Sequence, residues 1–145
     1  MGDSLKERAV KMLARREHTR RELARKLAAD AEDPVKIERL LDELEARGWL
    51  SETRVAEQVI HTRRGRFGAR RIERDLRGKG VSEEAVAAAL PQLKEGELEA
   101  ARGVWRRKFG REPRTASERG RQVRFLQGRG FELEVIFKVI KGSDE

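Results

Sequence analysis

The chain has 145 residues, 41% of them charged and 37% apolar, with 34 basic against 26 acidic side chains and a net charge of +8. So lean an apolar content excludes one thick core and favours thin helical layers, and the absence of cysteine excludes a disulfide frame and thiolate chemistry. No apolar run approaches the roughly 20 residues of a membrane span and no signal-peptide pattern opens the chain, so a cytoplasmic location is expected.

Helical periodicity runs along nearly the entire chain. Leu5, Ala9, Met12 and Leu13 share one face of a first helix. Thr19 and Glu22 form a capping-box pattern, which starts a second helix that buries Leu23, Ala24 and Leu27. Asp33 and Pro34 supply an N-cap and a first-turn proline for a third helix. That helix carries Ile37, Leu40, Leu41 and Leu44 on one side, and Gly48 stops it. Period-two alternation never persists long enough to predict a strand.

The same phrase then recurs. AVKML (9–13), AEQVI (56–60) and ARGVW (101–105) each pair alanine with two apolar residues at the fourth and fifth places, and a basic residue follows: Arg16, Arg63, Lys108. Leu27 and Ile37, Leu76 and Val86, and Leu126 and Ile136 keep one spacing, and Leu41, Leu90 and Ile140 follow each pair. The pattern predicts an all-α fold of three tandem three-helix repeats, helix-turn-helix-like, in an elongated, curved array. Their expected bounds are 1–50, 51–93 and 94–145, with net charges of +1, +3 and +4. The second and third repeats are the basic ones, and the surplus points to a polyanionic partner.

Charge is densest in the middle repeat. From 63 to 79 there are eight basic and two acidic residues. Ala69, Ile72 and Leu76 face inward on its second helix, while Arg70, Arg74 and Arg77 form one outward stripe. Arg63, Arg64 and Arg66 precede that helix, where Gly65 and Gly68 are expected to loosen the connection; Arg71 and Lys79 complete the cluster. These eight side chains are the candidate polyanion- and nucleic-acid-binding residues, because guanidinium forks match phosphate oxygens bidentately. Arg102, Arg106, Arg107, Lys108, Arg121 and Arg124 form a second candidate basic surface in the third repeat.

LARREHTRRELARKL (13–27), LDELEARGWLSETRVAEQ (41–58) and RRGRFGARRIERDLRGKGVSEE (63–84) resemble the RecX family of regulatory proteins, modulators of the RecA recombinase. The resemblance implies three tandem three-helix repeats and no enzymatic activity. It also implies binding to RecA, both free and as its filament on single-stranded DNA, with inhibition of ATP hydrolysis, strand exchange and co-protease action. Recombination, DNA repair and the SOS response are the processes implied, with the protein acting as a monomer. Direct contact with single- or double-stranded DNA is a further expectation. Two departures stand out: Val55 and Val59 replace aromatic residues common in the family, and Phe67-Gly68-Ala69 replaces tyrosine-glycine-proline.

Other motifs have simpler readings. Gly65-Arg66-Phe67-Gly68 matches the GxxG loop of KH domains, but no flanking strands are predicted. Gly78-Lys79-Gly80 lacks the spacing of a phosphate loop and instead ends a helix, as Gly128-Arg129-Gly130 does fifty residues later. His18 and His61 are isolated near helix ends, so neither a metal nor a cofactor is expected. Glu83 and Glu84 suit a helix start. Trp49 and Trp105 could stack on bases, but their apolar neighbours predict packing. An alternative function, a helix-turn-helix DNA-binding transcriptional regulator, is weakened by the absence of asparagine and the scatter of Gln58, Gln92, Gln122 and Gln127, since these amides read adenine.

Overall fold

The structure, a computed structural model, describes residues 4–29 and 33–140. The outermost residues of the first and third expected repeats, 1–3 and 141–145, lie outside that range. Among the described residues there are nine helices and no strand: α1 (Leu5–Arg15), α2 (Arg20–Ala28), α3 (Pro34–Ala46), α4 (Glu52–Arg63), α5 (Ala69–Lys79), α6 (Glu83–Glu95), α7 (Glu97–Lys108), α8 (Ala116–Gly128) and α9 (Leu133–Val139). The all-helical class predicted from periodicity is the one observed.

Local chemistry sets the helix ends. Thr19 Oγ1 accepts from Glu22 N at 3.1 Å while the Glu22 carboxylate accepts from Thr19 N at 2.9 Å, the reciprocal capping box. The Asp33 carboxylate caps Val35 N, with Pro34 in the first turn of α3. Three helices close in the same way at their C-termini. Gly48 N donates to Glu45 O and Trp49 N to Leu44 O; Gly80 N donates to Arg77 O and Val81 N to Leu76 O; Gly130 N donates to Gln127 O and Phe131 N to Leu126 O. These are Schellman closures, each with glycine at positive φ. In the last two, a buried apolar residue follows the glycine, and the leucine whose carbonyl it bonds is buried as well (Val81 with Leu76, Phe131 with Leu126).

The chain forms two compact units, residues 1–58 with 76–86 and residues 59–75 with 87–145. In the first, α2 packs on α1 and α3 around Ala9, Leu23, Leu27, Leu41 and Leu44. In the second, α7, α8 and α9 pack around Ala101, Val104, Leu126, Phe131 and Ile136. Ala9, Ala56 and Ala101, the repeated alanines of the three first helices, are all buried, as are Leu27, Leu76 and Leu126. Small residues at one register let helices approach closely, and the leucines fill the space between turns. Two expectations are revised. Trp49 is 43% exposed, with the Arg47 guanidinium 5.4 Å from its ring centre, so it is not a core residue. Leu90 is only half-buried, and Ala89 and Leu93 take its place in the interior.

Helix ends meet within each unit. In the second, Gly68 N donates to Arg129 O at 2.8 Å and Arg70 N to Gly130 O at 3.2 Å. The free N–H groups at the start of α5 thereby satisfy carbonyls at the end of α8 and just beyond it. In the first, Thr19 Oγ1 donates to Lys79 O at 2.7 Å and Arg21 Nη2 to Gly78 O at 2.7 Å, so the start of α2 meets the end of α5. Opposite helix-dipole ends are brought together in both cases. Gly68 is therefore no loosening element: a Cβ there would lie 2.5 Å from Phe131 N.

Candidate nucleic-acid interface

The predicted cations divide sharply by what they touch. In the second unit, Arg63 and Arg71 turn to Asp75, at 3.5 and 3.3 Å. Both guanidiniums also lie over the Phe67 ring, 5.9 and 4.5 Å from its centre. Arg64 donates to Gln92 O at 2.9 Å. Arg63 and Arg71 thus brace the α4–α5 connection, and Arg64 ties it to α6. Arg70 reaches Glu132 at 3.3 Å, yet its side chain remains 72% exposed. Arg66 and Arg74 are exposed, and among the described residues neither has an acidic partner.

Arg77 and Lys79 belong to the first unit. Arg77 forms a forked pair with Glu83, at 2.9 and 3.2 Å, and that arginine holds the Glu83 carboxyl below its ordinary range. Lys79 offers its carbonyl to Thr19 and its charge to Glu22. The outward stripe predicted on α5 is thus uneven: all three arginines are exposed, but Arg70 and Arg77 each pair with a carboxylate and Arg74 has no acidic partner among the described residues.

The second basic surface is similarly mixed. Arg102 pairs with Glu99 at 3.4 Å, and Arg107 donates to Gly65 O at 2.8 Å. Lys108 lies 5.2 Å from the centre of the Phe125 ring. Arg106, Arg121 and Arg124 are exposed. Trp105, half-buried, donates to Gln122 Oε1 at 2.8 Å and packs against the apolar cluster of the second unit. Buried Glu97 accepts from Ala69 N at 3.0 Å, capping α5 from the start of α7. Burial raises its pKa, the Ala69 N–H partly offsets that, and the Glu132 carboxylate raises it further.

Three features escape a reading of the sequence. Arg129 lies 5.3 Å from the ring centres of both Phe67 and Phe125 and donates to Arg66 O at 3.2 Å. Gly128-Arg129-Gly130, the counterpart of Gly78-Lys79-Gly80, is its only linear trace. Arg20, in the first unit, contacts Glu38, Asp42 and Glu45 at 2.5, 2.9 and 2.9 Å. Burial would lower its pKa, but the three carboxylates raise it well above the ordinary arginine value. Buried His18 donates from Nδ1 to Arg16 O at 2.9 Å, with the Lys26 ammonium 3.1 Å from Nε2. Among the described residues no group of three or more His, Cys, Asp or Glu could hold a metal, and no helix is long and apolar enough to cross a membrane.

Models of the first, second and third three-helix domains of RecX match residues 6–44, 51–90 and 95–140. The chain is 51% identical to the regulatory protein RecX of Leptothrix cholodnii over 141 residues, covering 97% of this chain and 90% of that one. Against the regulatory protein RecX of Ralstonia nicotianae it is 45% identical, covering 97% and 89%. The crystal structure of RecX from Lactobacillus salivarius superposes with a TM-score of 0.80 at 17% identity, covering 93% of this chain and 91% of that one, a likeness of fold. Three consecutive domain matches and two near-full-length relatives lead to one conclusion: the chain belongs to the RecX family of regulatory proteins.

Proposed function

We propose that this protein regulates recombination and repair by binding RecA, free and as its filament on single-stranded DNA, and inhibiting ATP hydrolysis, strand exchange and co-protease action. It performs no reaction itself and works in the cytoplasm as a monomer. Arg66 and Arg74, exposed and without acidic partners among the described residues, and Arg70, largely exposed beside Glu132, make first contact with filament or DNA. The observation that carries this reading is the exposure of Arg70 and Arg74, one turn apart on α5, while Arg63 and Arg71 turn to Asp75. Exposed guanidiniums on a rigid helix suit phosphate or carboxylate recognition, and the inward pair keeps the helix start in place.

The test is RecA ATP hydrolysis on single-stranded DNA with increasing amounts of this protein. Hydrolysis should fall with wild type, and Arg70→Ala/Arg74→Ala should need about tenfold more protein for the same inhibition, a binding free energy weaker by about 1.4 kcal/mol. Unchanged hydrolysis with wild type, alongside tight binding to one duplex sequence, would instead identify a transcriptional regulator.

A further inference from the structure

In the second unit a hollow of about 330 Å3 is lined by Arg66, Val104, Arg107, Lys108, Phe125 and Arg129. Four of these six side chains are cations and none is an acid. Elsewhere the protein neutralises clustered charge: Arg20 faces three carboxylates, and Arg63 and Arg71 share Asp75. Here the anchoring groups are neutral. Arg107 is held by Gly65 O at 2.8 Å, Arg129 by Arg66 O at 3.2 Å and by two phenylalanine rings, and Lys108 by the Phe125 ring at 5.2 Å. Carbonyls and ring faces fix the direction of a cation without cancelling its charge.

Four like charges around so small a volume repel one another, and a counter-ion of matching density relieves that repulsion. At about 30 Å3 per molecule the hollow has the volume of roughly eleven waters, at the small end of ligand pockets. A nucleic-acid strand brings one charge per phosphate and passes through such a space with few of them. Linked phosphates concentrate several charges there. Guanidinium forks suit their oxygens, and Phe125 and Val104 offer an apolar wall for a nucleoside.

We infer that the hollow is a binding site for a compact polyphosphate, a pyrophosphate or triphosphate group, free or carried by a nucleoside. Occupancy would link the α4–α5 connection, through Arg66, to α7 and to the end of α8. This reading goes beyond RecA regulation and does not depend on it.

The experiment is isothermal titration calorimetry on the full chain in magnesium-free buffer at fixed salt, with tripolyphosphate, ATP, AMP, a short thymidine oligonucleotide and polyglutamate as probes. Tripolyphosphate and ATP should each fill one site, with AMP at least about tenfold weaker. Equal affinity for the first two would assign the site to the phosphate chain, and tighter ATP to phosphate plus nucleoside. Arg66→Ala/Lys108→Ala should weaken both by about tenfold or more. Removing the same charge from the first unit, with Arg25→Ala/Arg39→Ala, should leave them unchanged. Should the first double variant unfold, Arg66→Gln and Lys108→Met are titrated singly, each with a smaller loss expected. The inference is overturned if neither polyphosphate binds, if AMP binds equally well, or if both double variants lose affinity alike. It is also overturned if Arg66→Ala/Lys108→Ala binds like wild type, or if the oligonucleotide or polyglutamate binds more tightly through these residues.

Discussion

A methyl group on Gly130 would lie 2.6 Å from Arg71 N, and the residue sits at φ +91°. Left-handed backbone and a close approach therefore coincide at one position, and Gly130→Ala should destabilise the second unit by roughly 2–5 kcal/mol. Gly78 meets neither condition, because it is helical and nothing lies within 4 Å of its would-be Cβ. Gly78→Ala should stabilise by about 0.5–1 kcal/mol, since alanine loses less backbone entropy on folding. Urea titration of the two variants would separate these cases, and equal midpoints would refute the distinction. His18 carries a different prediction. Burial is the main cause of its lowered pKa, below the ordinary 6.5, and the neighbouring Arg16 and Lys26 charges add to it against the opposing pull of Arg16 O. The unfolded chain then binds more protons than the folded one just below pH 6.5, so stability rises with pH there and is lost on acidification. The thermal midpoint of wild type should fall from pH 7.5 to about pH 5.5 more than that of His18→Gln, compared in one buffer series. Parallel profiles would show that His18 is not the titrating group.

Helix ends carry more of this architecture than their length suggests. Thr19 Oγ1 accepts from Glu22 N and donates to Lys79 O, so one buried hydroxyl both starts α2 and meets the end of α5. Thr19→Val keeps the shape but leaves a donor and an acceptor without partners, and should cost about 2–4 kcal/mol. Leu76 lies fully buried near the end of α5, where its carbonyl receives Val81 N. Leu76→Ala should cost roughly 2–5 kcal/mol, the range for a buried leucine, with the thermal midpoint as the measure. A midpoint equal to wild type would remove Leu76 from the interior. Both substitutions act through the α5 terminus, so their effects should fall short of additive in the double variant.

The charge of the molecule is less concentrated than a linear count suggests. Between 63 and 79 the surplus is six, but Glu83 and Glu132, both outside that window, pair with Arg77 and Arg70. What remains is Arg66 and Arg74, without acidic partners among the described residues, and Arg70, still 72% exposed beside Glu132, with Arg106, Arg121 and Arg124 also exposed. If this set meets phosphates, inhibition of RecA should weaken with rising salt. Arg70→Ala/Arg74→Ala should then flatten the logarithmic salt dependence by about 0.7 for each single-strand phosphate it no longer neutralises. A variant as salt-sensitive as wild type would place the phosphate-binding residues elsewhere.

The sequence alone determined the helical class, because apolar spacing and capping chemistry are local and each helix carries its own signals: Thr19 with Glu22, Asp33 with Pro34, and glycine at 48, 80 and 130. It also determined the family, through three copies of one phrase and the motifs around 13–27, 41–58 and 63–84. Tertiary structure decided which arginines are available. Arg63, Arg70, Arg71, Arg74 and Arg77 look alike in a linear reading, yet Asp75 and Phe67 engage Arg63 and Arg71, Glu132 and Glu83 pair Arg70 and Arg77 while leaving them exposed, and Arg74 has no acidic partner among the described residues. It also turned Gly68 from a supposed hinge into a tight contact and gave Arg129 two aromatic partners. Periodicity encodes only which face of a helix turns inward. Partners tens of residues away are chosen by packing, and a long cationic side chain costs little to redirect until a carboxylate, a carbonyl or a ring face fixes it.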